Sequence, residues 1–381
     1  MGQRIYFLDT ARAVSILLGL PLHASYAYSS GEPWLIKSHA TFDIFYVVSQ
    51  FIHGFRMHAF FLIAGYFSAL TLCRNDSRWL SKRMERLAIP LIATLFTFNI
   101  AQFLIVKMLN PGAIDRANEA GKIGSVWSAH MWFLIAMIFY TIMLYILPKT
   151  VWHDRSRYYA KIMIAHPLSS LIICITAIIF WTLGTKFALS LPPFKIFSAT
   201  TMGIFPLFKI ASYLPFFTFG VLCYTYNELF ERITRWNNLA IGFSVIAVLL
   251  HALLPSGTEP ILTVLRIILA IFSGIGGSYL TLALSRRFLN IKNETVSSIV
   301  NASFSIYLFH HPFIVIGTAL LSIIMVPVGI GFPALILFAL SAAWGLHLII
   351  RNSRLLLWLF NGSAEKSWRP THIAPSSTTS S

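Results

Sequence analysis

Uninterrupted apolar runs of about twenty residues recur from one end of this chain to the other, and a helix of that length spans the hydrocarbon core of a bilayer. The runs lack the polar–apolar alternation of strands, and a single helix satisfies all of its own backbone groups in lipid. The chain is 57% hydrophobic and 11% charged, with a mean hydropathy of +0.72. The sequence therefore predicts an all-α polytopic membrane protein with about ten transmembrane helices.

The predicted spans follow the apolar runs. They are residues 7–28, 43–72, 87–105, 132–147, 168–189, 202–226, 239–254, 260–284, 300–325 and 330–350. The second is too long for a perpendicular crossing, so we expect it to tilt or to break near Gly54. Residues 1–361 are expected to form one transmembrane domain. Residues 362–381 end in PSSTTSS and have little to bury, so they are expected to form a disordered cytoplasmic tail.

The chain has a formal net charge of +16, from 29 Lys and Arg against 13 Asp and Glu. Nineteen of the basic residues lie in the terminal segments and one set of alternate loops, and six lie in the opposite loops. Because Lys and Arg favour the cytoplasmic side, both termini are predicted to be cytoplasmic. The charge therefore points to the lipid bilayer as partner and not to nucleic acid. Cys73, Cys174 and Cys223 are scattered and predict neither a disulfide framework nor a metal site.

The first span carries Asp9, Arg12 and His23, although charged groups inside a membrane are costly and usually functional. Arg12 and His23 are eleven residues apart, which returns a helix to nearly the same face about 16 Å further along. One interpretation is an Asp9–Arg12 ion pair with an interfacial histidine. The other makes His23 a general base, because a neutral imidazole accepts protons near neutral pH. Pro21 is expected to loosen the helix just before it.

Two further basic groups admit both a structural and a functional interpretation. His53 and Arg56 share a helix face inside the second span, where Arg56 needs an anion. Asp43, a substrate or backbone carbonyls would each satisfy it. Arg83 and Arg86 also share a face, in a basic loop that is either an ordinary membrane anchor or a phosphate-gripping pair.

Histidines also cluster near two other interfaces. His130 and Trp132 open the fourth span, and Tyr307 shares a helix face with His310 and His311 in the ninth. A Trp at this depth is typical of an interfacial anchor. The His-His pair has no carboxylate or Cys at ligand spacing, so no metal site is predicted.

Taken together, these motifs resemble the membrane acyltransferase-3 family. Arg12 and His23 match its Arg-x10-His pair, and Arg83 and Arg86 match its Arg-x-x-Arg motif before a Pro-bearing third span. Residues 60–66, 130–134 and 305–312 match its FF-x-x-(Ser/Ala)-Gly-Phe/Tyr, His-x-Trp-Phe-Leu and Ser-x-Tyr-Leu-x-His-His/Pro segments. The five motifs occur in the family's order. YFLD–ARA, FIHGFRM, GYFS and NASFSIYLFHHP are most similar to a branch that acts on osmoregulated periplasmic glucans.

The resemblance implies a multi-pass enzyme of the bacterial inner membrane that succinylates these glucans. It implies Arg12 and His23 as the catalytic pair and Arg83 and Arg86 as the acyl-CoA-binding residues, with succinyl-CoA as donor and no bound cofactor. The periplasmic glucan is the implied acceptor, and other glucan-biosynthesis proteins are further candidate partners. Ala64 stands where much of the family has Ser, which removes any role for that hydroxyl here.

Asp9, His53, Arg56, His130, Trp132, Tyr307, His310 and His311 are expected to line the substrate pathway. The expected geometry is one inward face from Arg12 to His23, beside a channel that a thioester arm enters. The alternatives are transfer of another acyl group such as acetyl, another glycan acceptor, or transport of a glycan or small acid. In a transporter, the intramembrane residues Arg12, Arg56, Lys209 and Arg266 would line the path. The polar residues would serve only helix packing in a structural envelope subunit.

Overall fold

The computed structural model describes residues 6–31, 33–73, 78–148, 150–255, 259–290 and 293–363, with the side chains of 198–200 left out. Within these ranges the chain is helical and has no strand, which confirms the all-α prediction. The helices are α1 Tyr6–Leu17, α2 Gly19–Tyr28, α3 Asp43–Leu72, α4 Trp79–Phe96, α5 Phe98–Leu109, α6 Pro111–Glu119, α7 Ile123–Ser128, α8 Trp132–Ile146, α9 Ser156–Ala165, α10 Pro167–Ala188, α11 Pro192–Thr200, α12 Leu207–Thr225, α13 Asn227–Thr234, α14 Asn238–Leu253, α15 Pro260–Phe288, α16 Glu294–Ile323, α17 Val328–Ile350 and α18 Arg354–Asn361.

Eight helical segments in the described ranges are long and apolar enough to cross a membrane: α3, α4–α5, α7–α8, α10, α12, α15, α16 and α17. The pair α13–α14, bent by 72°, makes nine if it counts as one span. The remaining predicted span, 7–28, consists of the two short helices α1 and α2. The total of ten and the cytoplasmic termini stay predictions. The predicted tail beyond residue 363 lies outside the described residues, as do Arg4, Arg74, Lys149, Lys292, Lys366 and Arg369.

The break in the first span has a local cause. Pro21 has no N–H to donate to the carbonyl of Leu17, and α1 ends at that residue. The neighbouring bonds from Leu18 to Val14 and from Leu22 to Leu18 persist, at 3.0 and 3.2 Å. The helix is therefore interrupted at Leu18 and continues as α2, which confirms the expected loosening before His23.

The helix α3 is the centre of the bundle, with α1, α2, α12, α14 and α15 packed around it. Its 30 residues run without a break at Gly54, so of the two expectations only tilting remains. At 1.5 Å per residue it is about 45 Å long, well beyond the thickness of a hydrocarbon core.

The contact between α3 and α12 is unusually close. A Cβ on Gly65 would collide with the carbonyl of Phe217, and a Cβ on Gly220 would collide with the carbonyl of Leu62. Further along, the ring of His58 lies 4.8 Å from that of Tyr213. Towards the other end, the ring of Tyr66 lies 5.6 Å from that of Tyr224, so α3 and α12 run parallel. Small residues at such crossings let helices associate by close packing in lipid.

The outer helices present apolar side chains that suit lipid. In α10 only Ser170 and Thr182 are buried. Large side chains such as Ile173 and Phe180 are 66% and 72% exposed. Exposed apolar surface on this scale marks a membrane or partner interface. The exposed apolar surface and the eight span-length helices together identify a membrane protein.

Replacing Gly65 by Ala should destabilise the protein by about 1–3 kcal/mol, because the added methyl group forces α3 and α12 apart. Thermal unfolding of the detergent-purified protein measures this. Gly184→Ala in α10 is the matched control, because a Cβ there meets nothing within 4 Å. Equal melting temperatures for the two variants would contradict the close α3–α12 contact.

Candidate active site

A cavity of about 480 Å³ lies beside α2, just after the interruption at Leu18. Its walls come from α2, α3, α6, α12 and α16 and from the segments 33–35 and 122–132. The predicted base His23 and the predicted pathway residues His53, Arg56, His130, Trp132 and His311 lie at its surface. The structure therefore brings together side chains from motifs far apart in the sequence.

Four imidazole rings meet at this cavity. The ring of His23 lies 4.8 Å from His311, 5.3 Å from His310 and 6.4 Å from His130, between ring centroids. His130 and His311 stack at 4.9 Å. His310 stands behind the surface, next to the three rings that line it. No group of three His, Cys, Asp or Glu side chains in the described ranges has an arrangement that could hold a metal ion.

His130 and Tyr307 brace one another across the site. The Tyr307 hydroxyl donates to the carbonyl of His130, and His130 Nε2 bonds the carbonyl of Tyr307 at 2.8 Å. His310 Nδ1 bonds the same carbonyl at 2.7 Å. A carbonyl only accepts, so these two nitrogens carry the protons. The neutral rings of His130 and His310 therefore keep their lone pairs on Nδ1 and Nε2, and both atoms are buried without a partner.

A strained residue sets His130 in place. Ala129, at the end of α7, has a positive φ of 47°. Non-glycine residues rarely adopt such a φ, and the surrounding structure has to compensate for the strain. The reciprocal bonds between His130 and Tyr307 provide that support. The backbone leaves α7 here, so the His130 ring reaches the cavity.

His23 is the histidine best placed to accept a proton. Its ring stacks on Trp34 at 5.4 Å with an interplanar angle of 19°, and its buried Nδ1 has no partner in the described structure. A general base needs a free lone pair within reach of the substrate, and His23 lines the cavity. The aromatic stack fixes the plane of the ring.

Arg56 is a buried cation with no counter-ion among the described residues. It is 7% exposed and lines the cavity, and its Nε has no partner. One guanidinium nitrogen lies so close to Gly19 that a Cβ there would collide with it, and His310 Nε2 lies beside the same point. Asp43, one of the expected partners, bonds Ser30 and lies thirteen residues away on α3, about 20 Å. That pairing is wrong.

A second basic group, the basic cluster Arg12, Arg83 and Arg86, lies elsewhere. Arg12 pairs with Asp9 at 3.4 Å and lies 5.2 Å from the Phe67 ring centroid. Arg83 donates to the Ser68 hydroxyl at 3.1 Å and is within electrostatic range of Arg12 and Arg86. The structure thus groups the Arg-x-x-Arg motif with Arg12. It also contains the Asp9–Arg12 pair that the structural interpretation predicted.

The basic cluster and the cavity are separate places on one scaffold. Ser68, at the cluster, and Arg56, at the cavity, are twelve residues apart on the unbroken helix α3, which is about 18 Å. Asp9, Arg12, Arg83 and Arg86 do not line this cavity, and Tyr307 and His310 form the layer behind its wall. Arg12 lies before the interruption at Leu18 and His23 lies after it, and the two residues belong to these two separate places.

Sequence reasoning missed several residues of the cavity. Trp34 stacks on His23, Tyr26 lies 5.8 Å from the same ring at a tilt of 56°, and Gln102 Oε1 bonds His311 Nδ1 at 2.7 Å. Arg116 and Lys122 line the cavity from loops that looked like ordinary connections. Of these additional cavity residues, only Lys209 carried a signal in the sequence, because it is a basic residue inside a predicted span.

Comparison with known proteins shows the family of this chain. The family model of the acyltransferase-3 domain, described as an acyltransferase domain, matches residues 5–349. This chain belongs to the acyltransferase-3 family. Membership together with the helices makes it a membrane acyltransferase, as the motifs predicted. The site residues named from those motifs stay predictions.

The curated relatives are more specific in name. Glucans biosynthesis protein C of Salmonella schwarzengrund (strain CVM19633) is 28% identical over 380 residues, which is 95% of each chain. The protein of the same name from Escherichia coli (strain K12) is 28% identical over 379 residues, again 95% of each. No solved structure matches the chain. The similarity covers the whole transmembrane region that builds both basic groups and the cavity.

Tyr307→Phe should lower the stability of this acyltransferase by about 1–3 kcal/mol, because the buried carbonyl of His130 loses the hydroxyl that bonds it. Thermal unfolding in detergent measures the loss. Tyr145→Phe is the control, since Tyr145 is 48% exposed and its hydroxyl has no hydrogen-bond partner among the described residues. An unchanged melting temperature for Tyr307→Phe would show that the brace contributes nothing.

Proposed function

We propose that this protein moves a succinyl group from cytoplasmic succinyl-CoA to glucose residues of osmoregulated periplasmic glucans, in the inner membrane of a bacterium. The observation that carries the proposal is the buried, unpartnered imidazole nitrogen of His23, which lines the cavity at the centre of four histidines. The glucan acceptor is inferred from relatives whose name contains it.

The basic cluster is the proposed site for the CoA phosphates. Guanidinium groups bind phosphate oxygens through paired, charge-assisted bonds. Arg86 is exposed, and Arg83 is half-buried with an unpartnered Nε, so the cluster presents donors to a ligand. The loop bias in Lys and Arg places it on the cytoplasmic side. The pantetheine arm would then follow α3 for about 18 Å to bring the thioester to the histidines.

The histidine cavity is the proposed site of transfer. His23 Nδ1 takes the proton of a glucose hydroxyl while the hydroxyl oxygen attacks the thioester carbon. Arg56 stabilises the oxyanion that forms, because a fixed cation in a dry site acts strongly on developing charge. The carbon–sulfur bond then breaks, the CoA thiolate leaves and takes up the proton from His23, and the ester remains. His130 and His311 hold the ring of His23 in place.

The alternatives keep the same scaffold and change the ligand. Transfer of acetyl, or transfer to another glycan, would use the same base and the same basic cluster. Transport of a glycan or a small acid would use the cavity without chemistry. Release of free thiol from acyl-CoA by the purified protein, with glucan present, separates transfer from transport and from a purely structural role.

His23→Gln should abolish succinylation while the protein still inserts, because the amide has no basic nitrogen. Mass spectrometry of periplasmic glucans from cells carrying the variant measures it, and it also distinguishes succinyl from acetyl. His166→Gln is the control, since His166 is exposed between α9 and α10. Fully succinylated glucans from the His23 variant would refute the base assignment.

Arg83→Gln should raise the KM for succinyl-CoA about tenfold or more, since a hydrogen bond to a charged group is worth roughly 1.5–3 kcal/mol. Steady-state thiol release in detergent measures it, and Arg83→Lys should recover part of the affinity. Arg354→Gln, an exposed arginine at the start of α18, serves as the control. An unchanged KM would remove the phosphate role from Arg83 and leave the base assignment standing.

A further inference from the structure

The described charged residues at the surface of the cavity are all of one sign. Arg56, Arg116, Lys122 and Lys209 line it, and no Asp or Glu within the described ranges does. Arg56 is buried and the other three are exposed. Cations gathered around one cavity repel one another, and the buried one lacks a compensating negative charge among the described residues. A ligand with a negative group would supply that compensation.

Lys209 is the most informative of the four. It lies near the start of α12, and its ammonium is 5.0 Å from the centroid of the Trp132 ring. It makes no hydrogen bond or ion pair with any residue in the described ranges, and it is within electrostatic range of Arg56 and Lys122. The ring holds the ammonium by a cation–π contact and leaves its three donor hydrogens available.

The positions of Arg56 and Lys209 suit two different charges. Arg56 lies against Gly19 and His310, next to the ring of His23, where the oxyanion of acyl transfer develops. Lys209 enters the cavity from another helix and stands over Trp132. A short acyl chain with a second carboxylate likewise has two polar ends, one at the reacting carbon and one beyond it.

We propose that Lys209 is a specificity-determining residue whose ammonium binds the distal carboxylate of a dicarboxylic acyl group. The cavity thereby selects succinyl over uncharged acyl groups of the same length. This inference rests on the proposed function, since it assigns the acyl group of that transfer. Lys209 lies outside every motif found in the sequence.

A phosphate of CoA is the competing source of negative charge, and it predicts a different outcome. The basic cluster lies about 18 Å along α3 from Arg56 and is the proposed site of the phosphates. All CoA thioesters carry the same phosphates, whereas only succinyl-CoA has the extra carboxylate. Butyryl-CoA has the same chain length with a methyl group in place of that carboxylate.

The experiment compares kcat/KM for succinyl-CoA and butyryl-CoA, with periplasmic glucan as acceptor, in wild type, Lys209→Met, Lys209→Arg and Lys186→Met. We expect Lys209→Met to lower the succinyl-to-butyryl ratio about tenfold or more, as for loss of a charged hydrogen bond. Lys209→Arg should keep most of the ratio. Lys186→Met, an exposed lysine in α10, should leave it unchanged. An unchanged ratio in Lys209→Met, or an equal fall for both thioesters, overturns the proposal.

A binding measurement separates this proposal from the proposed function. Calorimetry with the N-acetylcysteamine thioesters of succinate and of butyrate reports the cavity alone, because these probes have no phosphate. Tighter binding of the succinyl probe to wild type, lost in Lys209→Met, supports the carboxylate site even if no thiol is ever released. Equal binding of the two probes by wild type overturns it.

Discussion

The close contact between α3 and α12 is the constraint on which both parts of the site depend. Gly65 and Gly220 let the two backbones touch, and the parallel course of the helices then sets Lys209 of α12 beside the level of Arg56 on α3. The same helix α3 carries Phe67 and Ser68, the contacts of the basic cluster. One unbroken, central helix therefore sets the distance between the two basic groups. Its length and the absence of a break at Gly54 keep that distance fixed.

Several backbone irregularities lie next to the cavity. Pro21 ends α1 just before His23, Pro312 follows His310 and His311, and Ala129 adopts a positive φ beside His130. In a bilayer, departures from helix are tolerated where the freed backbone groups are buried in protein or face a polar space. The carbonyl of His130, next to the strained Ala129, accepts from the Tyr307 hydroxyl. The carbonyl of Tyr307 accepts from His130 and His310, and these bonds orient the two histidines.

The sequence was sufficient for the helical class and for six residues that line the cavity, because apolar run length and costly intramembrane charges are local signals. It could not give the meeting of His23 with His130, His310 and His311, which depends on three helices packing together. The eleven-residue spacing predicted Arg12 and His23 on one face of a continuous helix. In the structure the helix is interrupted near Pro21, as anticipated, and Arg12 lies with Arg83 instead. Trp34 lies in a connecting segment, where no periodicity marks it.

The two basic groups differ in which of their charges lack a partner. This difference supports the proposal that the donor's phosphates bind at one group and its acyl group at the other. In the basic cluster Arg12 already has Asp9 and Arg83 already has Ser68, so a ligand there adds to existing contacts. At the cavity Arg56 and Lys209 have no counter-ion in the described structure, so a ligand there supplies what the fold lacks. In the proposed mechanism, a thioester held by its phosphates at the cluster exposes only its arm and acyl group to the cavity. The permanent charge of the proposed carrier would then stay at one end, and a negative charge would reach the cavity on the acyl group itself.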